Sequence, residues 1–131
     1  MHNDKLEILE LLNRYILSID SHDDARFADN FHDDGVYVSP FGTAKGRVEI
    51  LATIHQWHSG GITAGKRHMI GAWSIDVAGD HASSVSSYWV VDASDSTKIV
   101  ATGGYQDRLE KRNGVWKLLE RVQSIDPSFK G

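Results

Sequence analysis

The sequence contains no cysteine, which excludes disulfides, thiolate metal sites and cysteine nucleophiles. It has no apolar run approaching the roughly 18 residues of a membrane-spanning helix, and its first residues lack the pattern of a signal peptide. It also lacks a cluster of Lys or Arg, and the formal net charge of -4 disfavours binding to nucleic acid or to an anionic membrane. From these absences we expect a cytoplasmic protein without a nucleic-acid or membrane partner.

Several signatures of catalysis are also missing from the sequence. It has no Gly-x-Ser-x-Gly, no phosphate-binding glycine loop and no dinucleotide fingerprint, which disfavours nucleotide chemistry. Asp33 and Asp34 are adjacent, so their side chains diverge and do not support a paired-carboxylate hydrolase. His55 and His58 have a spacing that suits a metal, but no third ligand completes the site, which favours a solvated helix end. We expect neither a metal nor a cofactor.

The composition is that of a globular protein. The 131 residues are 40% hydrophobic and 24% charged, which is enough apolar material for one core. We see no internal repeat or linker, and we expect one domain over residues 1–131.

The first half of the chain carries the helical patterns. Apolar residues recur at helical spacing over residues 4–19, where Asp4 and Glu7 resemble a capping box. Further helices are predicted over residues 24–31 and 46–58.

A short strand lies between the second and third predicted helices, and a glycine-rich segment follows the third. A short strand is predicted over residues 36–38, before the third helix. Residues 59–66 contain three glycines and little bulk, so we predict a mobile loop that could serve as a lid.

The second half of the chain carries strand patterns. Four strands are predicted, over residues 67–77, 81–92, 98–111 and 115–125. Asn113-Gly114 is a strong signal for a tight hairpin, because both residues tolerate positive φ. Helices followed by an antiparallel meander predict an α+β fold, in which a curved sheet wraps around the N-terminal helices and encloses a conical pocket.

His68 is the most informative residue of the predicted strand over 67–77. Strict alternation places it with Ile70 and Ala72, opposite Met69 and Ile75, and both faces are largely apolar. A buried imidazole needs a hydrogen-bonding partner, because an unpaired polar group costs about 1–3 kcal/mol.

Asp20, at the end of the first predicted helix, is the best candidate partner for His68. An imidazole held by a carboxylate in an apolar pocket can transfer protons. Capping of the second helix or exposure to solvent are the alternatives for Asp20.

Tyrosines and other aromatic residues supply further candidates. Tyr15 has the spacing of a core residue, and Tyr88 and Tyr105 are candidate pocket residues that could bind oxygen substituents. Phe41 and Trp57, together with Trp73 and Trp89, are candidates for pocket walls or core, with core the simpler interpretation for most of them.

Two adjacent glycines, Gly103 and Gly104, interrupt the predicted strand over residues 98–111. They predict either a bulge or a close approach by a ligand or backbone. A strand bent to close the sheet is the simpler interpretation.

A family resemblance runs through most of the chain. Its elements are Arg14-Tyr15 followed by Asp20, Phe31-His32-Asp33-Asp34-Gly35-Val36, Gly46-Arg47, Arg67-His68, Gly104-Tyr105 and Asn113-Gly114-Val115-Trp116-Lys117. In order and spacing they resemble the SnoaL-like branch of the nuclear transport factor 2-like superfamily. The resemblance implies a cone-shaped α+β barrel. It is closest to the dehydratases acting on scytalone and on bile acids and to hexachlorocyclohexane dehydrochlorinase.

The resemblance implies a cofactor-independent lyase or isomerase that acts on a small hydrophobic, cyclic substrate. In this interpretation His68 is the general base, Asp20 orients it, and Tyr15 donates a hydrogen bond or proton to the departing oxygen. Tyr88 stands where scytalone dehydratase has a second histidine, which disfavours scytalone as the substrate.

Two alternatives remain open at this stage. The same fold can serve as a non-catalytic ligand-binding or oligomerisation module, or as a polyketide cyclase or ketosteroid isomerase type of enzyme with Asp20 as the base. The resemblance also implies a homodimer or homotrimer formed through the outer face of the sheet, to which Trp73, Trp89 and Trp116 could contribute.

Overall fold

A computed structural model gives the structure of residues 3–127. Within these residues the chain forms three helices and six strands. In chain order they are α1 (Asp4–Asp20), α2 (Asp24–Asp29), β1 (Phe31–Ser39), β2 (Gly42–Lys45), α3 (Gly46–Ser59), β3 (Lys66–Ala78), β4 (His81–Asp92), β5 (Asp95–Arg112) and β6 (Val115–Ile125). No helix in this part of the chain is both long and apolar enough to cross a membrane.

The strands form one mixed sheet in the order β2-β1-β6-β5-β4-β3. Strands β3 to β6 are the predicted antiparallel meander, and β1 joins it by pairing in parallel with β6. The predicted α+β class, with a curved and mostly antiparallel sheet against the helices, is confirmed. The sheet does not close into a barrel, because β2 and β3 remain as its two edges.

Helix α1 supplies much of the core. Its apolar stripe, predicted from the helical spacing, is buried: Ile8, Leu11, Leu12, Tyr15, Ile16 and Ile19. The predicted capping box is wrong, because the N-cap is Asn3, whose side chain accepts a hydrogen bond from Leu6 N at 3.1 Å. The helix ends at Asp20, beside the free edge of β3.

The segment after α1 differs from the prediction. Helix α2 ends at Asp29, and β1 begins at Phe31, in the region predicted as the end of the helix. Phe31 pairs with Leu118 of β6, and both side chains are buried, so the sheet outcompetes local helical preference. The short strand β2 was not predicted.

A bulge in β3 changes which residues share a face. His68 pairs with Val90, and Ile75 pairs with Ser84, but the register shifts between residues 70 and 73. Val90 and Ser84 both lie on the buried face of β4, so His68 and Ile75 share the inner face. The prediction that strict alternation would separate them is therefore wrong.

The structure contains the predicted hairpin at Asn113-Gly114 and shows why residue 103 is a glycine. Asn113 and Gly114 have φ values of 52° and 77°, which confirms the tight hairpin. At Gly103 the strand pairing is regular, and an added Cβ would lie 2.0 Å from Ser124 O and 2.7 Å from Tyr88 Oη. Close approach of backbone and side chain, rather than a bulge, explains this glycine.

The tryptophans do not all lie where the sequence suggested. Trp116 is buried and donates Nε1–H to Asp4 Oδ1 at 2.9 Å, so it is not an outer-face residue. Trp73, Trp89 and Phe41 are 48%, 36% and 63% exposed, so the core assignment is wrong for them. The homodimer or homotrimer stays a prediction.

Candidate active site

Asp20 and His68 meet where α1 packs against the edge strand β3. Asp20 Oδ1 lies 2.8 Å from His68 Nδ1, and the backbone N–H of His68 donates to both carboxylate oxygens at 3.1 and 3.2 Å. An edge strand has backbone N–H groups without a neighbouring strand, and the end of α1 brings a carboxylate to one of them. The predicted contact between these two side chains is present.

This contact fixes the hydrogen-bonding state of the His68 ring. Because Asp20 accepts at Nδ1, the Nδ1 atom carries a proton and the neutral ring has its lone pair on Nε2. Within residues 3–127 no side chain or carbonyl is hydrogen-bonded to Nε2. The side chains of His68 and Asp20 are only 13% and 9% exposed, so the pair is sheltered from solvent.

His68 lines a cavity of about 200 Å³. The other lining residues are Phe41, Trp57, Ile62, Thr63, Lys66, Tyr88, Val90, Val100, Ala101 and Ile125. An apolar cavity of about 150 Å³ is large enough to bind benzene, so this one fits a single small ring with a substituent. The structure therefore brings His68, Tyr88, Phe41 and Trp57 to one cavity.

The hydroxyl of Tyr88 is held by two groups of β6. It donates to Ser124 O at 2.9 Å and accepts from Gln123 Nε2 at 3.1 Å. Burial raises the pKa of Tyr88, so the phenol stays neutral. The remaining lone pair of this oxygen can accept a hydrogen bond from a ligand hydroxyl.

Tyr15 and Tyr105 do not line this cavity. Tyr15 is fully buried, with its ring centroid 4.7 Å from that of Phe27 and 5.7 Å from that of Tyr105. The ring of Tyr105 packs against the ring of Tyr88, with 4.8 Å between the two centroids. Burial raises the pKa of both Tyr15 and Tyr105 well above the usual value, so both are neutral.

A buried ion pair, which the sequence analysis missed, lies next to these tyrosines. Arg121 Nε and Nη2 donate to Asp107 at 2.7 and 3.1 Å, and both side chains are completely buried. Ser84 Oγ donates to the same carboxylate at 2.8 Å. The guanidinium lies over the rings of Tyr105 and Tyr15, with its Cζ 3.7 and 4.2 Å from their centroids.

The two histidines weighed as metal ligands bind a carboxylate instead. His55 Nδ1 and His58 Nδ1 lie 2.9 and 2.5 Å from the two oxygens of Asp24, and His58 Nε2 lies 3.1 Å from Ile19 O. The side chain of His58 is 6% exposed, so the expected solvated helix end is wrong for it. No group of three or more side chains suited to a metal occurs within residues 3–127.

Burial raises the pKa of Asp24, but hydrogen bonds from His55 and His58 outweigh this and lower the pKa below its usual value. His58 also contacts the carbonyl of Ile19, which precedes Asp20. The cluster of Asp24, His55 and His58 therefore helps to hold the end of α1 that carries the Asp20 carboxylate.

Sequence reasoning also missed Thr63 and Lys66 as cavity residues. Both belong to the segment predicted as a lid, and Lys66 lies two positions before His68, on the same face of a strand. The two-residue spacing between Lys66 and His68 could have identified Lys66 as a cavity residue from the sequence.

Comparison with known proteins places the chain in a family. The SnoaL-like domain matches residues 2–122, which is most of the chain. The chain belongs to the SnoaL-like domain family. This family is part of the nuclear transport factor 2-like superfamily and has the cystatin-like fold, as the resemblance implied.

Solved structures resemble this SnoaL-like domain closely. A protein of unknown function with a cystatin-like fold from Nostoc punctiforme PCC 73102 is 31% identical, with a TM-score of 0.86 over 95% of this chain and 92% of that one. An NTF2-like protein from Novosphingobium aromaticivorans is 28% identical, with a TM-score of 0.85 over 95% and 82%.

Enzymes are present among the more distant structures. The hexachlorocyclohexane dehydrochlorinase LinA-type3 from Novosphingobium barchaimii LL02 is 17% identical to this SnoaL-like domain, with a TM-score of 0.80 over 94% of this chain and 86% of that one. At this identity the likeness shows the fold alone. No curated protein matches the sequence.

Proposed function

We propose that this protein is a cofactor-independent lyase or isomerase that removes a proton from carbon in a small hydrophobic, cyclic substrate. The observation that carries the proposal is the His68 ring at the wall of an apolar cavity, with Nδ1 bound to Asp20 at 2.8 Å. This arrangement leaves Nε2 with a lone pair for a ligand, as a general base requires.

In the proposed reaction His68 Nε2 takes a proton from a substrate carbon. The electron pair of the C–H bond becomes a new π bond. In an elimination a hydroxide or halide leaves with its own electron pair and the proton of His68 passes to solvent or to the leaving group, so the by-product is water or hydrogen halide. In an isomerisation the π electrons of a neighbouring carbonyl group move onto its oxygen, and the carbonyl re-forms when His68 returns the proton to another carbon of the substrate, without a by-product. Asp20 stabilises the imidazolium while it exists.

The size of the cavity supports a small substrate. About 200 Å³ holds one substituted ring, and the aromatic side chains of Phe41 and Trp57 form part of the wall. Holding such a ring against His68 supplies catalysis through orientation, for which no metal is needed.

The oxygen-binding role is assigned to Tyr88 in this proposal. Tyr88 lines the cavity, whereas Tyr15 is enclosed by aromatic rings and does not line the cavity. Proton donation by Tyr15 stays a prediction.

Asp20 as the base is the weaker alternative. Its carboxylate accepts three contacts from His68 and does not line the cavity, so it faces the histidine rather than the ligand. The dehydrochlorinases that share the fold support the proposal by analogy, since elimination from a chlorinated ring is the reaction in their name.

Incubation in D₂O tests both reactions, because an isomerase exchanges a carbon-bound proton for deuterium and a lyase forms a new product. The protein is incubated in D₂O with cyclic β-hydroxyketones, cyclic β,γ-enones and polychlorinated cyclohexanes, and ¹H NMR follows loss of the acidic C–H signal and formation of product. We expect exchange or elimination with at least one class, and we expect His68→Gln to reduce the rate at least 100-fold.

Matched controls are His81→Gln and Asp76→Asn, which change exposed residues outside the cavity and should leave the rate unchanged. Loss of activity in Asp20→Asn but not in His68→Gln would identify Asp20 as the base. Binding of the ring compounds without exchange or elimination would contradict the proposed enzyme activity and favour a ligand-binding module.

A further inference from the structure

The polar side chains of the cavity fall into two groups. His68 and Tyr88 have hydrogen-bond partners, in Asp20 and Ser124 respectively. Thr63 and Lys66 are different: within residues 3–127, neither the hydroxyl of Thr63 nor the ammonium group of Lys66 has a hydrogen bond or an ion pair. Thr63 Oγ1 is buried without a partner, and the whole residue is only 8% exposed. Two residues that line the cavity thus carry donors that the protein itself does not satisfy.

Local backbone structure holds these two donors on one side of the cavity. Lys66 N donates to Thr63 O at 3.2 Å, which closes a turn between α3 and β3. Gly61 and Gly65 have φ values of 78° and 67°, which a glycine adopts without strain. Ala93 N donates to Gly65 O at 2.7 Å, which anchors this turn to the neighbouring turn between β4 and β5.

The distance from Lys66 to the base follows from strand geometry. Lys66 and His68 pair with Asp92 and Val90 without a register shift between them, so both side chains leave β3 on the same face. Two residues along a strand span about 7 Å. The two side chains therefore reach the same ligand at points separated by about the width of a single ring.

The apolar lining residues offer no side-chain acceptor to these donors. They include Ile62, Val90, Val100, Ala101 and Ile125. The ammonium group of Lys66 and the hydroxyl of Thr63 are stabilised most by an oxygen that carries negative charge, because a charge-assisted hydrogen bond is stronger than a neutral one.

We propose that the cavity binds a cyclic carboxylic acid, whose carboxylate accepts hydrogen bonds from Lys66 Nζ and Thr63 Oγ1 while the ring carbon faces His68. This inference rests on the proposed function and names its substrate class. The net charge of -4 would otherwise repel an anionic substrate, and Lys66 supplies local attraction at the cavity.

Binding of cyclohexanecarboxylate and of its neutral counterpart, cyclohexanecarboxamide, tests this proposal. Titrations followed by ¹H–¹⁵N NMR give the dissociation constant of each compound for the intact protein. We expect the carboxylate to bind at least tenfold more tightly than the amide. Lys66→Met should abolish this preference, Lys66→Arg should keep most of it, and Thr63→Val should weaken carboxylate binding several-fold.

Lys5→Met is the matched control, because it removes one positive charge from the exposed surface of α1 at the end far from Asp20. It should leave the preference for carboxylate intact. Equal affinity for the two compounds, failure to bind either, or an unchanged preference in Lys66→Met would overturn the proposal.

Failure of this inference can be told apart from failure of the proposed function. His68→Gln should abolish exchange but keep the preference for carboxylate. If the preference for carboxylate is found but no ring compound, acidic or neutral, undergoes exchange or elimination, the carboxylate subsite stands and the enzyme reaction is contradicted. If exchange is found only with neutral rings, the reaction stands and the carboxylate subsite is wrong.

Discussion

Asp20 binds His68 at two points, the ring Nδ1 and the backbone N–H, so one carboxylate sets both the position of the strand and the orientation of the imidazole. These two tasks respond differently to substitution. An asparagine can still accept from the backbone N–H, but its amide is neutral and cannot stabilise an imidazolium to the same degree.

We therefore expect Asp20→Asn to fold normally and to lose about 100- to 10,000-fold in the rate of carbon-proton exchange. Exchange in D₂O measures the rate, and circular dichroism checks the fold. An exchange rate within threefold of the unchanged protein would contradict the role of Asp20.

The tyrosines give a second prediction. Tyr88→Phe removes a hydroxyl from a residue that lines the cavity, whereas Tyr15→Phe removes one from the enclosed aromatic cluster. We expect Tyr88→Phe to lower the exchange rate more than Tyr15→Phe does. The reverse order would show that Tyr15 reaches the substrate, as the family resemblance implies.

Gly103 is predicted to be intolerant of any side chain. A Cβ there would overlap Ser124 O and crowd the hydroxyl of Tyr88, so Gly103→Ala should lower the free energy of unfolding by about 1–3 kcal/mol or more. Urea unfolding measures the change. Gly104→Ala is the matched control, because its nearest contact is Ser86 O at 3.2 Å, and it should cost less.

The buried ion pair between Arg121 and Asp107 gives a fourth prediction. Arg121→Met leaves the carboxylate buried without its cation, which should cost about 3–5 kcal/mol in the free energy of unfolding. The double variant Arg121→Met/Asp107→Leu removes both charges and should recover much of this loss. A double variant as unstable as the sum of the two single variants would contradict this account.

Asp24 gives a prediction about pH. Its pKa is lowered in the folded protein, so its contribution to stability is present above the usual carboxyl pKa and is lost as the pH falls through the lowered value. The difference in unfolding free energy between the unchanged protein and Asp24→Asn should therefore shrink as the pH falls from about 6 to about 2. Asp80→Asn, an exposed turn substitution, should show a difference that is close to zero throughout.

Local patterns in the sequence were enough to predict most elements of this protein. The apolar stripe of α1 and the Asn113-Gly114 turn depend on residues that are near each other in the chain, as do the full extents of β4 and β6. The contact between His68 and Asp20 could be proposed because a polar residue on an apolar strand face requires a partner.

Other features were decided only when distant segments packed together. The pairing of β1 with β6 overrode the helical pattern near Phe31, and the bulge in β3 reversed the face on which Ile75 lies. The cavity is lined by residues of the turn between β1 and β2, of α3 and the turn after it, and of four strands, so Thr63 and Lys66 became part of it only through the fold. The hydrophobic periodicity of a segment predicts which face of a single helix or strand is buried. Which elements share a pocket depends on backbone pairing and shape across the whole sheet, which no local pattern contains.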